Sequence, residues 1–229
     1  MASAITTNQT KTNTEEHINN HVLGVYDSAC LLSLTGVCAA AMAMILAAQG
    51  VIELALVGLM LAGLADLFDG VLARRLHRSE YAQEFGLQLD TTVDVVAFVA
   101  TPVVIALNSA PSSWPVSAAV ICFVLAGVVR LAHFNTLSVR GTDQSTHHRG
   151  LPVTYTALIF PLLYLLQDTL PAEAFHLLVG ASFIVIGLLF VIDVPVRKPR
   201  GAFYLILPLL AIGLIAYWVG HYLQASGSV

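Results

Sequence analysis

Charged side chains are scarce in this 229-residue sequence: Asp, Glu, Lys and Arg make up 10% of it, against roughly 25% in ordinary soluble domains. A chain so short of charge cannot cover itself for water, and 57% hydrophobic residues with a mean hydropathy of +0.81 place it in a bilayer. Cysteine is scarce as well. Cys30, Cys38 and Cys122 fall inside apolar stretches without CxxC spacing, which leaves no disulfide framework and no cysteine zinc site, so they read as packing residues. Residues 1–20 hold no basic segment leading into an apolar core and do not read as a cleavable signal. The formal net charge of -4 says little about partners, and no nucleic acid is expected among them.

Apolar runs are what the sequence has in quantity. They cover 25–48, 51–73, 86–107, 115–133, 152–167, 174–192 and 202–222, and most reach the roughly 17 to 25 residues that a helix needs to cross the hydrocarbon core. The expected fold is an all-α integral membrane protein of about seven transmembrane helices. With a cytoplasmic N-terminus, Lys11, Arg74, Arg75, Arg78, Arg130, Arg140, Arg149, Arg197, Lys198 and Arg200 all fall on the cytoplasmic side, and they are every Lys and Arg in the chain. That satisfies the positive-inside rule. Before the first run, Thr14 can cap a short amphipathic helix through Leu23 on the membrane surface, a disordered tail being the alternative.

Against this background the stretch LADLFDGVLARR, residues 64–75, stands out. Asp66, Asp69, Gly70, Ala73 and Arg74 recur at helical spacing and share one face. Across the next loop Gly86, Asp90 and Asp94 form a second stripe at four-residue intervals. Four carboxylates facing one space repel strongly at low dielectric, and each costs at least about 2.5 kcal/mol within a span. A compensating positive charge is required. Hard divalent cations, Mg²⁺ or Mn²⁺, suit all-carboxylate sites, and two of them about 4 Å apart clamp a phosphoryl group between entering and leaving oxygens. The small residues leave room for a flat base and ribose.

The pattern D66-x2-D69-G70-x2-A73-R74 followed by G86-x3-D90-x3-D94 resembles the signature of the CDP-alcohol phosphotransferases, membrane enzymes that make phospholipids by displacing CMP from a CDP-linked alcohol. Eleven residues separate Arg74 from Gly86, where the family usually has eight. The resemblance implies metal ligation by Asp66, Asp69, Asp90 and Asp94, with Asp94 also the general base toward the acceptor hydroxyl. It implies a nucleotide site from Asp66, Gly70, Ala73, Gly86 and Arg74, the arginine steadying the diphosphate. A six-helix catalytic bundle within 25–200, a polar tail at 1–24, an added C-terminal span and tail at 201–229, and a homodimer also follow from it.

Residues VVRLAHFN (128–135) and RGLPVTYTAL (149–158) resemble the phosphatidylserine synthase branch of that family. This implies CDP-diacylglycerol as donor and L-serine as acceptor, in the inner or plasma membrane with the active site facing the cytoplasm. Arg130, Asn135 and Arg149 become the candidates for binding acceptor or phosphate, since a guanidinium pairs with a carboxylate through two parallel hydrogen bonds. Other acceptors stay open. Choline would want an aromatic cage, for which Tyr81, Phe85, Phe98 and Tyr155 are candidates. Inositol phosphate or glycerol phosphate would want the basic cluster of Arg197, Lys198 and Arg200. Two other classes, membrane prenyltransferases and divalent cation transporters, also place carboxylates between helices. The first shows an N-D-x2-D-x3-D pattern absent here, and the second tends to bind near the midplane.

Overall fold

A single carboxylate starts the first helix. In the computed structural model, which describes residues 23–109, 114–139, 147–193, 195–197 and 203–227, Asp27 accepts hydrogen bonds from the backbone N–H groups of Ala29 (3.0 Å) and Cys30 (2.9 Å). It thereby caps α1, Ser28–Ala48. The surface helix expected around Thr14 lies outside the described residues, as do Lys11, Arg140, Lys198 and Arg200.

A tight turn through Gln49 and Gly50 reverses the chain into α2, Ile52–Ala73, and Gly50 takes a φ of 80° there. The two helices meet through small residues. A Cβ on Gly58 would lie 2.8 Å from the Cβ of Ala43 and 3.0 Å from the carbonyl of Ala39, so the backbones approach as closely as side chains permit. The third span, α3, runs over Glu80–Ser109 from a cap in which Ser79 Oγ accepts from the Ala82 N–H. It is interrupted immediately after Asp94 by one wide π turn, Val95–Ala100. The Thr156 hydroxyl donates to the Phe98 carbonyl in that turn at 3.0 Å. Such turns free a carbonyl from the ladder and concentrate at functional sites.

The helix α4, Trp114–Val139, leads to a short ribbon in which β1, His147–Arg149, pairs antiparallel with β2, Pro195–Arg197. Between the strands lie α5, a 3₁₀ turn at Val153–Tyr155 running into Thr156–Tyr164, and α6, Ala172–Val191. The last helix is α7, Phe203–Gly227. Six of these helices are long and apolar enough to span a bilayer, while Val153–Tyr164 is shorter and rises only about 18 Å at 1.5 Å per residue. Its chain nevertheless runs from one end of the bundle to the other. At one end Arg130 Nε donates to the Leu151 carbonyl at 3.2 Å. At the other, His221 of α7 lies 3.6 Å from Glu53, at the start of α2, and 3.3 Å from Asp168. The all-helical membrane fold with about seven traverses is therefore borne out, the fifth traverse being completed by successive turns at Leu165 to Thr169.

The core lies mainly between α2, α3, α4, α5 and α6, with Ala40 and Ala47 of α1 and Leu214 and Trp218 of α7 joining it. Phe123, Phe160 and Phe183 form its aromatic centre, with ring centroids 5.0 Å apart for Phe123 and Phe183 and 4.9 Å for Phe160 and Phe183. Gly150, at φ 77°, turns the chain into α5 against the carbonyls of Leu189, Phe190 and Ile192, a position where any side chain would be strained.

Gly58→Val should force α1 and α2 apart. The expected cost is about 1–3 kcal/mol, read as a lower unfolding temperature of the detergent-solubilised protein, while Gly213→Val, whose Cβ would meet open space, serves as the control.

Candidate metal and nucleotide site

The two acidic stripes face each other where α2 ends and α3 begins. Asp66, Asp90 and Asp94 each offer a carboxylate oxygen, and these oxygens all lie within 4.8 Å of one another. Asp94 is buried, and its Oδ1 has no hydrogen-bond partner among the described residues. An unpartnered carboxylate oxygen among three close carboxylates fits a hard divalent cation.

Asp69 behaves differently. It is also buried, but the Ser33 hydroxyl of α1 donates to its Oδ2 at 2.5 Å, and it falls outside the group of three mutually close carboxylates. It lines instead a cleft of about 460 Å³ between α1, α2 and α3, with Ser33, Gly70, Ala73, Gly86 and Asp90. Gly70, Ala73 and Gly86, expected to make room for a nucleoside, thus do share one cleft with two of the carboxylates.

Arg74, expected beside the diphosphate, caps the end of α2 and is exposed; it is not among the residues lining that cleft. The guanidinium that does line it belongs to Arg78, which in the sequence is one basic loop residue among several. Arg78 Nη2 lies 2.7 Å from Asp27 Oδ1. Burial alone would raise the pKa of Asp27, but the Cys30 N–H and the Arg78 guanidinium more than offset it and hold the carboxyl below its ordinary value. Asp27 therefore stays ionised at neutral pH, and the contribution of the pair is lost only as acid titrates Asp27 below the usual carboxylate range.

A second cleft, of about 590 Å³, opens on the other side of the carboxylates and is lined by Asp66, Asp90, Asp94, Arg130, Phe134 and Thr154, among others. Arg130 is buried there. The carbonyls of Leu151 and Gly150 accept from its Nε at 3.2 Å and its Nη2 at 3.4 Å, and its guanidinium lies 5.7 Å from the Phe134 ring centre. Asn135 faces elsewhere: its Nδ2 donates to Gln88 Oε1 at 3.3 Å, and it does not line this cleft. Arg149 sits in β1 opposite Pro195, its side chain outside the described residues. The four aromatics considered for a choline cage do not gather. Phe98 is fully buried in the core and Tyr81 is exposed, Phe85 stacks with Tyr81, and Tyr155 lines a separate apolar groove.

That groove, about 560 Å³, runs between α2, α5 and α7 along Met60, Gly63, Leu67, Ala157, Leu207 and Ala211, and reaches Asp66. Three openings of different character thus converge on one group of carboxylates.

The sequence model of the CDP-alcohol phosphatidyltransferase family matches residues 27–193. The chain belongs to that family. As a CDP-alcohol phosphatidyltransferase it is a membrane-embedded transferase of phospholipid biosynthesis, and the matched segment holds α1 to α6 with the four aspartates, Gly70, Ala73, Arg74, Gly86, Arg130, Asn135 and Arg149. The chain is similar to an archaetidylserine synthase of Methanothermobacter thermautotrophicus, 27% identical over 171 residues covering 74% of this chain and 68% of the relative. It is also similar to a CDP-diacylglycerol–serine O-phosphatidyltransferase of Methanocaldococcus jannaschii, 28% identical over 157 residues covering 69% and 70%. A Mycobacterium tuberculosis protein of the latter name is 33% identical over 95 residues, 40% of this chain and 32% of the relative. The family is divalent-cation dependent, in keeping with the acidic cluster.

Adding Mg²⁺ or Mn²⁺ to the metal-stripped protein should raise its unfolding temperature, because a ligand bound by the native state alone stabilises it by mass action. In Asp66→Ala the rise should disappear, and CDP binding with it, as followed by scanning fluorimetry and calorimetry.

Proposed function

We propose that the protein transfers a phosphatidyl group from CDP-diacylglycerol to the hydroxyl of L-serine, releasing CMP, at a site facing the cytoplasm. The observation that carries this reading is that Arg130 and the carboxylates of Asp66, Asp90 and Asp94 line one cleft. A small amphoteric acceptor entering there meets an anion-binding guanidinium and a proton acceptor together. Both longer-matching relatives also bear names that specify serine, though they differ in the lipid named.

Asp66, Asp69, Asp90 and Asp94 are the proposed ligands for two divalent cations, Mg²⁺ or Mn²⁺, which when bound neutralise the diphosphate and polarise its phosphorus–oxygen bonds. The rest falls to the chain itself. Asp94, whose Oδ1 has no partner among the described residues, takes the proton from the serine hydroxyl as the serine oxygen bonds to the lipid-side phosphorus. The bond from that phosphorus to the bridging oxygen breaks, and the bridging oxygen leaves on CMP. Arg130, its direction set by two backbone carbonyls, receives the serine carboxylate, with Arg149, next to one of those carbonyls in sequence, as second candidate and Asn135 a more distant one. Asp66, Gly70, Ala73 and Gly86 border the nucleotide, and Arg74, exposed at the end of α2, meets it from outside the cleft. The apolar groove that reaches Asp66 suits the acyl chains.

The bundle over 25–200 is the proposed catalytic unit, and the added segment 201–229 contributes a wall of the acyl groove through Leu207 and Ala211. A cytoplasmic site in the inner or plasma membrane is supported by Arg74, Arg75 and Arg78, which follow the acidic end of α2. The family resemblance supports a homodimer.

The test is CMP release by purified protein given CDP-diacylglycerol and Mg²⁺ or Mn²⁺, with serine, choline, inositol phosphate and glycerol phosphate supplied singly. Release with serine alone is expected; release with another acceptor and none with serine would discard the serine assignment. Asp94→Asn should lower turnover by about 10²–10⁴-fold, the usual worth of a general base, while CDP binding persists in calorimetry.

A further inference from the structure

The nucleotide cleft carries both signs of charge: Asp69 and Asp90 line it, and so does the guanidinium of Arg78. Gly86 precedes Asp90 by four residues on α3, about 6 Å along the helix. A nucleoside diphosphate whose phosphates are drawn to the carboxylate end therefore has its nucleoside at the level of Gly86. At that level the space a side chain would occupy is already spoken for: a Cβ on Gly86 would lie 2.9 Å from Arg78 Nη1. What the missing side chain of Gly86 admits is an arginine, and the base must meet it.

This arginine is fixed and incompletely used. Asp27 anchors Nη2 at 2.7 Å, and the Arg78 side chain is only 11% exposed. Its Nε is buried and has no hydrogen-bond partner among the described residues, and the same holds for Asp27 Oδ2. Buried polar atoms left without partners are uncommon, and Arg78 borders a ligand cleft. A guanidinium presents planar, adjacent N–H donors in a rigid fork and no acceptor. Of the pyrimidines, cytosine offers it two adjacent acceptors, N3 and O2. Uracil carries a proton on N3, which would face the donors.

We propose that Arg78 is the nucleobase-reading residue of the cleft, donating to N3 and O2 of cytosine and so selecting cytidine over uridine nucleotides, with Asp27 as the positioning residue that aims it. The inference rests on the nucleotide reading of the cleft given above, but not on the identity of the acceptor. Neither residue belongs to the acidic and small-residue pattern of α2 and α3. Arg78 lies in the stretch between Arg74 and Gly86, and Asp27 is the cap of a different helix.

The experiment is calorimetric binding of CDP and of UDP, each with Mn²⁺ and without acceptor, to the full-length protein in detergent. The wild type should prefer CDP by about tenfold or more, the scale of discrimination one guanidinium fork gives on a base edge. Arg78→Ala should bring the two affinities within about twofold, chiefly by weakening CDP. Arg78→Lys keeps a cation for Asp27 and so guards against loss of the fold, which unfolding temperatures would register; it too should lose the preference. Asp27→Asn should reduce the preference in part. An equal weakening of CDP and UDP in Arg78→Ala would make the arginine a phosphate contact and overturn base reading, as would a wild type that binds both alike. A wild type that bound neither nucleotide would overturn the cleft reading as well. A preference that depended on Arg78 in a protein inactive toward serine would uphold this inference and remove only the serine assignment.

Discussion

Mutual repulsion among carboxylates between α2 and α3 is the constraint on which the rest of the structure depends. Three of them place oxygens within 4.8 Å of one another in surroundings where water screens poorly, so each raises the cost of ionising the next. A bundle would discard such a cluster unless something positive repaid its cost. The molecule treats its four aspartates unequally in a way that makes sense on this basis. Asp69 accepts from the Ser33 hydroxyl of α1, whereas Asp94 keeps an oxygen with no partner among the described residues. Asp69 is thus oriented by the protein through one oxygen, and Asp94 presents an open oxygen to a cation.

The surrounding elements hold this arrangement in place. The π turn of α3 begins directly after Asp94, and its Phe98 carbonyl is taken up by Thr156 of α5, so the helix carrying two of the carboxylates is tied to the segment that lines the polar cleft. Arg130 is likewise fastened to the chain entering α5. Asp66 and Asp90 are where the openings meet. Asp90 borders both polar clefts, and Asp66 borders one of them and the apolar groove. Phosphatidyl transfer needs this convergence, since a nucleotide, a pair of acyl chains and a water-soluble alcohol must reach one phosphorus from different surroundings.

Much of this was legible in the sequence because it is local. The acidic stripes follow from spacing within one helix, and the apolar runs mark the spans to within a few residues. What escaped detection depends on tertiary contact. The separation of Asp69 from its three companions is set by Ser33, 36 residues earlier on another helix. That Arg78 and not Arg74 lines the cleft beside Asp69 depends on how the loop folds back to Asp27, which no periodicity encodes. Asn135 shares a sequence segment with Arg130 yet turns to Gln88, because the residues lie five apart on a helix and five steps of about 100° put them on opposite sides. The ribbon of β1 and β2 joins segments far apart in the chain, and the shortness of α5 reflects Pro152 before it and turns after it rather than any loss of apolar character.

The central claim is that Asp66, Asp90 and Asp94 hold divalent cations that in turn hold a cytidine diphosphate. Anomalous scattering from crystals grown with Mn²⁺ and CDP tests it most directly. The account requires manganese peaks between these carboxylates, with the diphosphate against them and the cytidine extending toward Gly86. Manganese bound elsewhere, or a nucleotide ordered away from these three residues, would contradict it.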